Sequence, residues 1–308
     1  MSKTYRQLLI IPHLKIQNAN ALSSPYTIGF PAMTAWLGAL HALQRKLNAD
    51  VLSEVTLDAV AVISHDFDLQ TYRGPGDFVN SIVGTGNPLV EKKKRKKDEP
   101  WELFERPAFI EEARCHLEVS LIIELSGITA DDEDELLQAI DRILRSNHKI
   151  AGGDILNLND PFYTKVKEGS TDELNSLVRN VMPGYAIIER RQLMIEAMET
   201  GQDPIEAMLD YVAVHHSCDR DESGNVVWSS KRKTSGWIVP IATGFHGITE
   251  LGTTLNQRDP DVPHRFVESV VTLGEFKMPL QIQSIDEILW RYRFDEERSL
   301  YLCQQSNY

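Results

Sequence analysis

Apolar positions are densest between Leu8 and Leu47, in LLIIPHLKIQNANALSSPYTIGFPAMTAWLGALHALQRKL. Leu8 to Ile11 form an unbroken apolar run that continues through Leu14 and Ile16, which predicts a buried strand. The chain then turns polar and small: Gln17, Asn18, Asn20, Ser23 and Ser24, interleaved with alanine and ending at Pro25, read as a loop. Gly29, Phe30 and Pro31 close that loop, with Pro31 at the first helical position, where a missing amide proton costs nothing. Met33, Trp36, Leu37, Leu40, Leu43 and Leu47 follow at spacings of three and four, which is one face of a helix. Thr34, Gly38, His41 and Arg45 fall on the other side.

The same pattern predicts further elements. Residues 55–63 (VTLDAVAVI) read as a second strand ending at His65, Asp66 and Phe67, and residues 114–125 (RCHLEVSLIIEL) as a third. Between them, residues 68–113 are punctuated by Gly74, Pro75, Gly76, Gly84, Gly86 and Pro88. They carry the charge run EKKKRKKDE and read as an insertion projecting from the domain, anchored by Trp101, Phe104 and Phe109. A helix spans Asp131 to His148, with acidic residues at its positive end and Arg142, Arg145, His148 and Lys149 at its negative end. Leu136, Leu137, Ile140, Ile143 and Leu144 form its apolar face.

The order is then β-α-β-β-α. A strand at Ile150–Leu156 or at Tyr185–Ile188 would complete the β-α-β-β-α-β succession of a ferredoxin-like unit. Ala151-Gly152-Gly153 lies just after the second helix, where glycines permit close backbone approach. The expected class is therefore α+β: a core at 1–160 that includes the insertion, and an α+β extension at 161–308 packed on it. The extension is expected to hold short helices at Asp172–Asn180, Arg191–Glu199 and Pro204–Val214, and a turn at Pro183-Gly184. A polar loop at 217–235, a strand at 236–241 with Trp237 in the core, and a loop at Gly244–Gly247 are expected next. Ile285 to Leu302 reads equally as a helix or a strand pair.

Composition narrows the function. The chain has 308 residues, 42% of them hydrophobic, enough for a substantial core. A net charge of −13 argues against a free-standing nucleic-acid binder, which is usually basic. It leaves room for one local basic surface, or for a subunit whose partners supply positive charge. Cys115, Cys218 and Cys303 are too few and scattered for a disulfide framework or a zinc site, so reduced thiols in the cytoplasm are expected. MSKTYRQ is not a signal peptide, and no apolar run approaches the ~20 residues that span a bilayer.

No nucleophile elbow, HExxH, P-loop or paired-cysteine motif is present, and no metal or cofactor is expected. His215 and His216 are adjacent and face different ways. The acids at 131–135 complement a helix dipole better than they hold a cation. His41, one turn from Arg45, has two readings: a solvated helix histidine, or a general base for an RNA 2′-hydroxyl. Lys92, Lys93, Lys94, Arg95, Lys96 and Lys97 could reach a phosphate backbone or serve only solubility. Lys231, Arg232 and Lys233 form a second basic cluster. No RNP1-type aromatic pattern supports base stacking on a sheet.

The blocks IQNANALSSPYTIGFPAMTAWLGALHALQRK, CHLEVSLII, AGGDIL, MPGYAIIER, GWIVPIATGF and RFVESVVTLGEF occur in this order. Together they resemble the Csy2-type (Cas5-like) subunits of type I-F CRISPR surveillance complexes. The likeness runs from about Leu8 to Phe276. The first block is the specific one, and the departures lie in the insertion and after residue 277.

The resemblance implies a ferredoxin-like, RRM-type fold of the RAMP superfamily, with the basic insertion as a thumb. It implies a non-catalytic subunit that binds the 5′ handle of the CRISPR RNA and joins a large Csy1-type subunit to a Csy3-type backbone subunit. Such an assembly binds foreign double-stranded DNA. Gln17, Asn18, Asn20, Ser23 and Ser24 are then expected to contact handle nucleotides, with Arg45, Lys149, Gly152 and Gly153 holding phosphates. The runs at 92–97 and 231–233 would grip nucleic-acid backbone, with His246 a further RNA contact. The alternative is a RAMP-type endoribonuclease that processes CRISPR RNA with His41 as base.

Overall fold

The computed structural model describes residues 5–50, 52–86, 88–91, 104–105, 111–221, 223–257 and 259–305. Its first half runs β1 (Tyr5–Asn20), the small hairpin β2 (Leu22–Ser24) and β3 (Thr27–Ile28), α1 (Met33–Asp50) and β4 (Thr56–Leu69). Two short exposed pairs follow, β5 (Thr71–Tyr72) with β6 (Ser81–Ile82) and β7 (Val90–Glu91) with β8 (Phe104–Glu105). Then come β9 (Arg114–Ser126), α2 (Glu133–Ser146), β10 (Lys149–Ile150) and β11 (Gly153–Asn157). The second half holds β12 (Phe162–Lys167), α3 (Thr171–Arg179), β13 (Tyr185–Glu189), α4 (Arg191–Glu199) and α5 (Pro204–Val212). It ends with the hairpin β14 (His215–Arg220) and β15 (Val226–Lys231), then β16 (Trp237–Gly247), β17 (Val267–Lys277), β18 (Arg291–Asp295) and β19 (Leu300–Gln304).

The fold is mixed α+β, with five helices and one large antiparallel sheet among the described residues. The sheet order is β10-β11-β1-β9-β4-β13-β17-β16-β19-β18, and β12 also pairs with β1, making eleven strands. The expected β-α-β-β-α-β succession is present as β1-α1-β4-β9-α2-β11, with strand order β11-β1-β9-β4. Both candidate final strands exist: the segment near 150–156 forms β10 and β11 beside β1, and β13 continues the sheet on the far side of β4.

Strand alternation sends side chains to two faces. Leu9, Ile11, Leu14 and Ile16 of β1, with Val60, Val62, Leu117, Val119 and Ile123, pack under the helices. All six apolar positions read for α1 are buried there, as are Leu136, Ile140, Ile143 and Leu144 of α2. Leu8, Ile10, Ala61, Ile63 and Ile122 face the other way, against Leu174, Leu177 and Val178 of α3 and the segment Ile282–Leu289. Burying one such aliphatic side chain contributes about 1.5–3 kcal/mol.

Several expectations are corrected. Residues 17–20 are not a loop but the end of β1, because their backbone is paired on both sides: Gln17 with Asp154, Ala19 with Cys115, Asn20 with Arg114. Pro31 lies before the helix, which starts at Met33, and its carbonyl accepts from Trp36 Nε1 at 3.3 Å. The polar segment 217–235 is largely the hairpin β14–β15, exposed along β14 and nearly all of β15, so no apolar face marks it in the sequence. Gly244, Phe245, His246 and Gly247 belong to β16, at a bulge, and not to a loop. Trp237 is 54% exposed rather than core. Between Ile285 and Leu302 a strand pair forms, β18 with β19, following the 3-10 turn Ile285–Glu287.

Candidate nucleic-acid groove

Where β1 runs into its polar end, an open groove of about 600 Å³ lies against α1. Its floor is a stripe of small residues, Ala35, Gly38, Ala39 and Ala42, at spacings of three and four. The stripe lies on a different side of α1 from the buried leucines, and its short side chains let the helix backbone sit low. Leu22 and Ser23 of the β2–β3 hairpin form one wall, with Asn20 beside them. Glu112, Arg114, Lys149, Ala151 and Gly152 form the other.

That second wall is assembled from segments far apart in sequence. The Asn20 amide donates to the Ala151 carbonyl at 2.8 Å, joining the end of β1 to the turn after α2. Ala151 and Gly152 take positive φ, 49° and 75°, to make the turn. A Cβ on Gly153 would lie 2.7 Å from Ile16 Cγ2 and 2.8 Å from the Gln17 carbonyl oxygen, so the close approach of β11 to β1 requires glycine there.

Arg114 is the principal cation. Its Nη2 pairs with Glu112 at 2.8 Å and its Nη1 donates to the Asn18 carbonyl at 3.4 Å. Its Nε–H is buried with no partner among the described residues. Lys149 pairs with Asp154 at 2.5 Å. Each cation of the wall therefore has a carboxylate counterion, and an incoming phosphate would compete with a neighbouring acid. Beneath the groove His148 is buried, hydrogen-bonded to the Ala39 backbone and close to Lys46, and burial pushes its pKa down to about 4.

A family model described as CRISPR-associated protein (Cas_Csy2) matches residues 9–303. This chain belongs to the Csy2 family of CRISPR-associated proteins. The CRISPR-associated protein Csy2 of Pseudomonas aeruginosa strain UCBPP-PA14 is 32% identical over 322 aligned positions, covering 96% of this chain and 94% of that protein. The family match extends past residue 277, where the quoted motifs end, and takes in β18 and β19 up to residue 303. No helix among the described residues is long and apolar enough to cross a membrane.

The groove of this Csy2-family chain gathers four of the residues singled out from sequence: Asn20, Ser23, Lys149 and Gly152. Gly153 supports it from behind. The Asn20 side chain is turned inward, its Oδ1 accepting from the Leu22 amide at 2.8 Å. Ser23 and the buried Ser24 both bond to Thr27 Oγ1, at 3.0 and 2.6 Å, and so hold the hairpin. Gln17 is exposed on β1, and Asn18, at φ 61°, donates its amide to His116 Nδ1 at 3.1 Å. Arg45 and His41 are exposed on α1 outside the groove lining, and neither makes a hydrogen bond or ion pair among the described residues.

The remaining candidates lie elsewhere. His246 sits on β16, opposite Glu268 at 3.1 Å, with four strands between β16 and β1 in the sheet. Lys231 and Arg232 are exposed at the end of the β14–β15 hairpin. Lys233 is tied down by Asp210 at 2.6 Å and lies 4.3 Å from the Tyr211 ring centroid. Lys92, Lys93, Lys94, Arg95, Lys96 and Lys97 lie outside the described residues. Arg114 and the small-residue stripe were not among the sequence candidates. A charged residue opening an otherwise alternating strand, and a helix with alanine and glycine at 35, 38, 39 and 42, were the available signals.

Proposed function

We propose that this chain is a non-catalytic subunit of a type I-F CRISPR surveillance complex and that the groove holds the 5′ handle of the CRISPR RNA. The observation that carries this reading is the second wall: Arg114, Lys149 and the bare backbone of Ala151-Gly152 converge beside the amide-rich end of β1. A guanidinium, an ammonium and the side-chain-free surface of Gly152 suit a single-stranded sugar-phosphate chain, and Gln17 and Asn18 stand exposed to read base edges. The strand order β11-β1-β9-β4 supports a ferredoxin-like, RRM-type core of the RAMP superfamily at 1–160. The extension at 161–308 packs on that core, and the insertion at 68–113 acts as the thumb.

In this reading the partners are the CRISPR RNA, a large Csy1-type subunit, a backbone Csy3-type subunit and, through the assembly, target double-stranded DNA, all in the cytoplasm. Base pairing by the guide reads sequence while the protein holds shape. A net charge of −13 fits a subunit that shares its RNA with more basic neighbours. His41 stands outside the groove lining with no carboxylate to orient it among the described residues, which favours holding over cutting.

The test is to purify the tagged chain from its host and sequence the nucleic acid that accompanies it. Short RNAs with one constant 5′ end are expected. RNA lacking a common 5′ end, or no RNA, overturns the reading. Cleavage of a repeat RNA by the purified wild type but not by His41→Ala overturns its non-catalytic part.

A further inference from the structure

The large sheet is split at one seam. β13 pairs with β4 only through Tyr185 with Ser64 and Ala186 with Ile63, while β4 runs on against β9 to Leu69. Past Ser64 the two arms diverge. The space between them is a cleft of about 470 Å³ that shares no lining residue with the groove.

Five rings line this cleft: Phe30, Phe67, Tyr185, Trp237 and Phe276. They brace one another. Phe30 meets Phe276 edge-on at 5.3 Å, Trp237 tilts against Phe276 at 5.3 Å, and Tyr185 meets Trp237 edge-on at 5.9 Å. Trp237 and Tyr185 nevertheless leave 54% and 41% of their surface open. Rings held by their neighbours yet exposed on a face are preorganised for a ligand, since little freedom remains to be lost on binding.

Among the described residues that line the cleft, one carries a formal charge at neutral pH. Asp66, exposed on β4, lines it and has no hydrogen bond or ion pair among the described residues. Among the described residues, no lysine or arginine lines it. His65 is bonded at both ring nitrogens. Its Nδ1 lies 2.5 Å from the Pro183 carbonyl, which requires a proton on that nitrogen. Its Nε2 lies 2.6 Å from the Ser120 hydroxyl, whose oxygen also accepts from the His13 amide at 3.0 Å. Burial also lowers the His65 pKa.

An aromatic cage with one unpaired carboxylate is complementary to a cation and hostile to phosphate. We propose that this cleft receives an arginine side chain from another protein subunit, stacked on Trp237 and Tyr185 and paired with Asp66. A planar guanidinium satisfies both features at once, by cation–π attraction to the ring faces and by forked hydrogen bonds to the carboxylate. The inference rests on the chain being a subunit of a multiprotein complex, and it gives that complex an anchor separate from the RNA groove.

The experiment uses the complex assembled by co-expressing this chain with the other CRISPR subunits of its host. The photo-crosslinker p-benzoylphenylalanine is placed at Ile28, which lines the cleft and is exposed. Crosslinking to an arginine-containing segment of another subunit is expected. Asp66→Asn is expected to weaken association with that subunit about tenfold and to flatten its salt dependence, and Asp66→Arg to weaken it further. Both variants keep the wild-type melting temperature, because Asp66 is exposed and unpaired. Crosslinks to RNA, or to a segment without arginine, overturn the proposal. So does wild-type affinity for Asp66→Arg, or loss of affinity in Trp237→Leu with none in Asp66→Asn, which would mark an apolar or nucleobase occupant. A wild-type chain that captures no protein subunit overturns the subunit reading and the cleft together. A complex that assembles unchanged with Asp66→Arg overturns the cleft alone.

Discussion

The Asn20 amide and the Ala151 carbonyl, 2.8 Å apart, join the far end of the first strand to the turn that follows the second helix. The next residues, Gly152 and Gly153, let β11 fold back against β1 at van der Waals limits. Gly153→Ala would place a methyl group against Ile16, the Gln17 carbonyl and Ala19, with backbone on two sides and little freedom to move. We expect a loss of about 1–3 kcal/mol, the usual cost of overpacking, seen as a lower urea midpoint. RNA retention should fall with it.

Arg114 offers the cleanest test of the groove, because among the described residues its side chain bonds to Glu112 and the Asn18 carbonyl at the groove wall. Arg114→Ala should weaken handle RNA binding about tenfold. If the lost contact is to a phosphate, the salt slope falls by about 0.7 for single-stranded RNA. Arg114→Lys should recover only part of the affinity, since the fork is lost. Glu112→Gln frees the guanidinium and should tighten binding, measurable by filter binding across a salt series.

His148 makes stability depend on pH. Its folded pKa, about 4, lies below the ordinary histidine value of 6.5, so the unfolded chain takes up the proton first. The contribution is complete above pH 6.5 and is lost as the pH falls toward 4. It amounts to about 3 kcal/mol at about 1.4 kcal/mol per tenfold change in proton affinity. Urea midpoints measured from pH 7 to 4.5 should drop for the wild type and flatten in His148→Gln.

Trp290 is fully buried and its Nε1 donates to the Ile187 carbonyl at 2.9 Å. Trp290→Ala should cost about 3–5 kcal/mol, the range for deleting a large core aromatic. Trp290→Phe should cost about 1 kcal/mol or somewhat more for the lost hydrogen bond and volume; the Ile187 carbonyl keeps Gln305 as a second donor at 3.1 Å. Because Trp290 bridges to Val60, far-UV and tryptophan signals should shift together in one transition.

The elements legible in the sequence were those with one dry face. All six apolar positions of α1 are buried because period 3.6 is a direct image of packing against a sheet. The end of β1 was illegible because Gln17, Asn18 and Asn20 look like loop residues, and only Asp154, Cys115 and Arg114, far along the chain, supply their pairing. The β14–β15 hairpin has no buried face to leave a period. Asn20, Ser23, Lys149 and Gly152, singled out through the family resemblance, meet in one groove. Arg114 escaped notice because its role comes from position across two strands, not from any neighbour in sequence. Trp237 in GWIVPI was misplaced because an apolar run does not reveal that its first ring sits at a split in the sheet.

Val60 and Trp290 exchange both main-chain hydrogen bonds, at 3.1 and 2.9 Å, and Arg6 forks onto Asp286 at 2.7 Å through each terminal nitrogen. The ribosome therefore releases β1 and β4 long before Asp286 and Trp290 exist. At ~5–20 residues per second, the interval between residue 60 and residue 290 is roughly 10 to 50 seconds. During that time the sheet surface carrying Leu8, Ile10, Ala61 and Ile63 lacks the cover that Ile282 to Leu289 later provide. A nascent chain with a sticky, half-roofed sheet is a client for a chaperone, and a stop codon placed just before residue 282 would leave it one permanently.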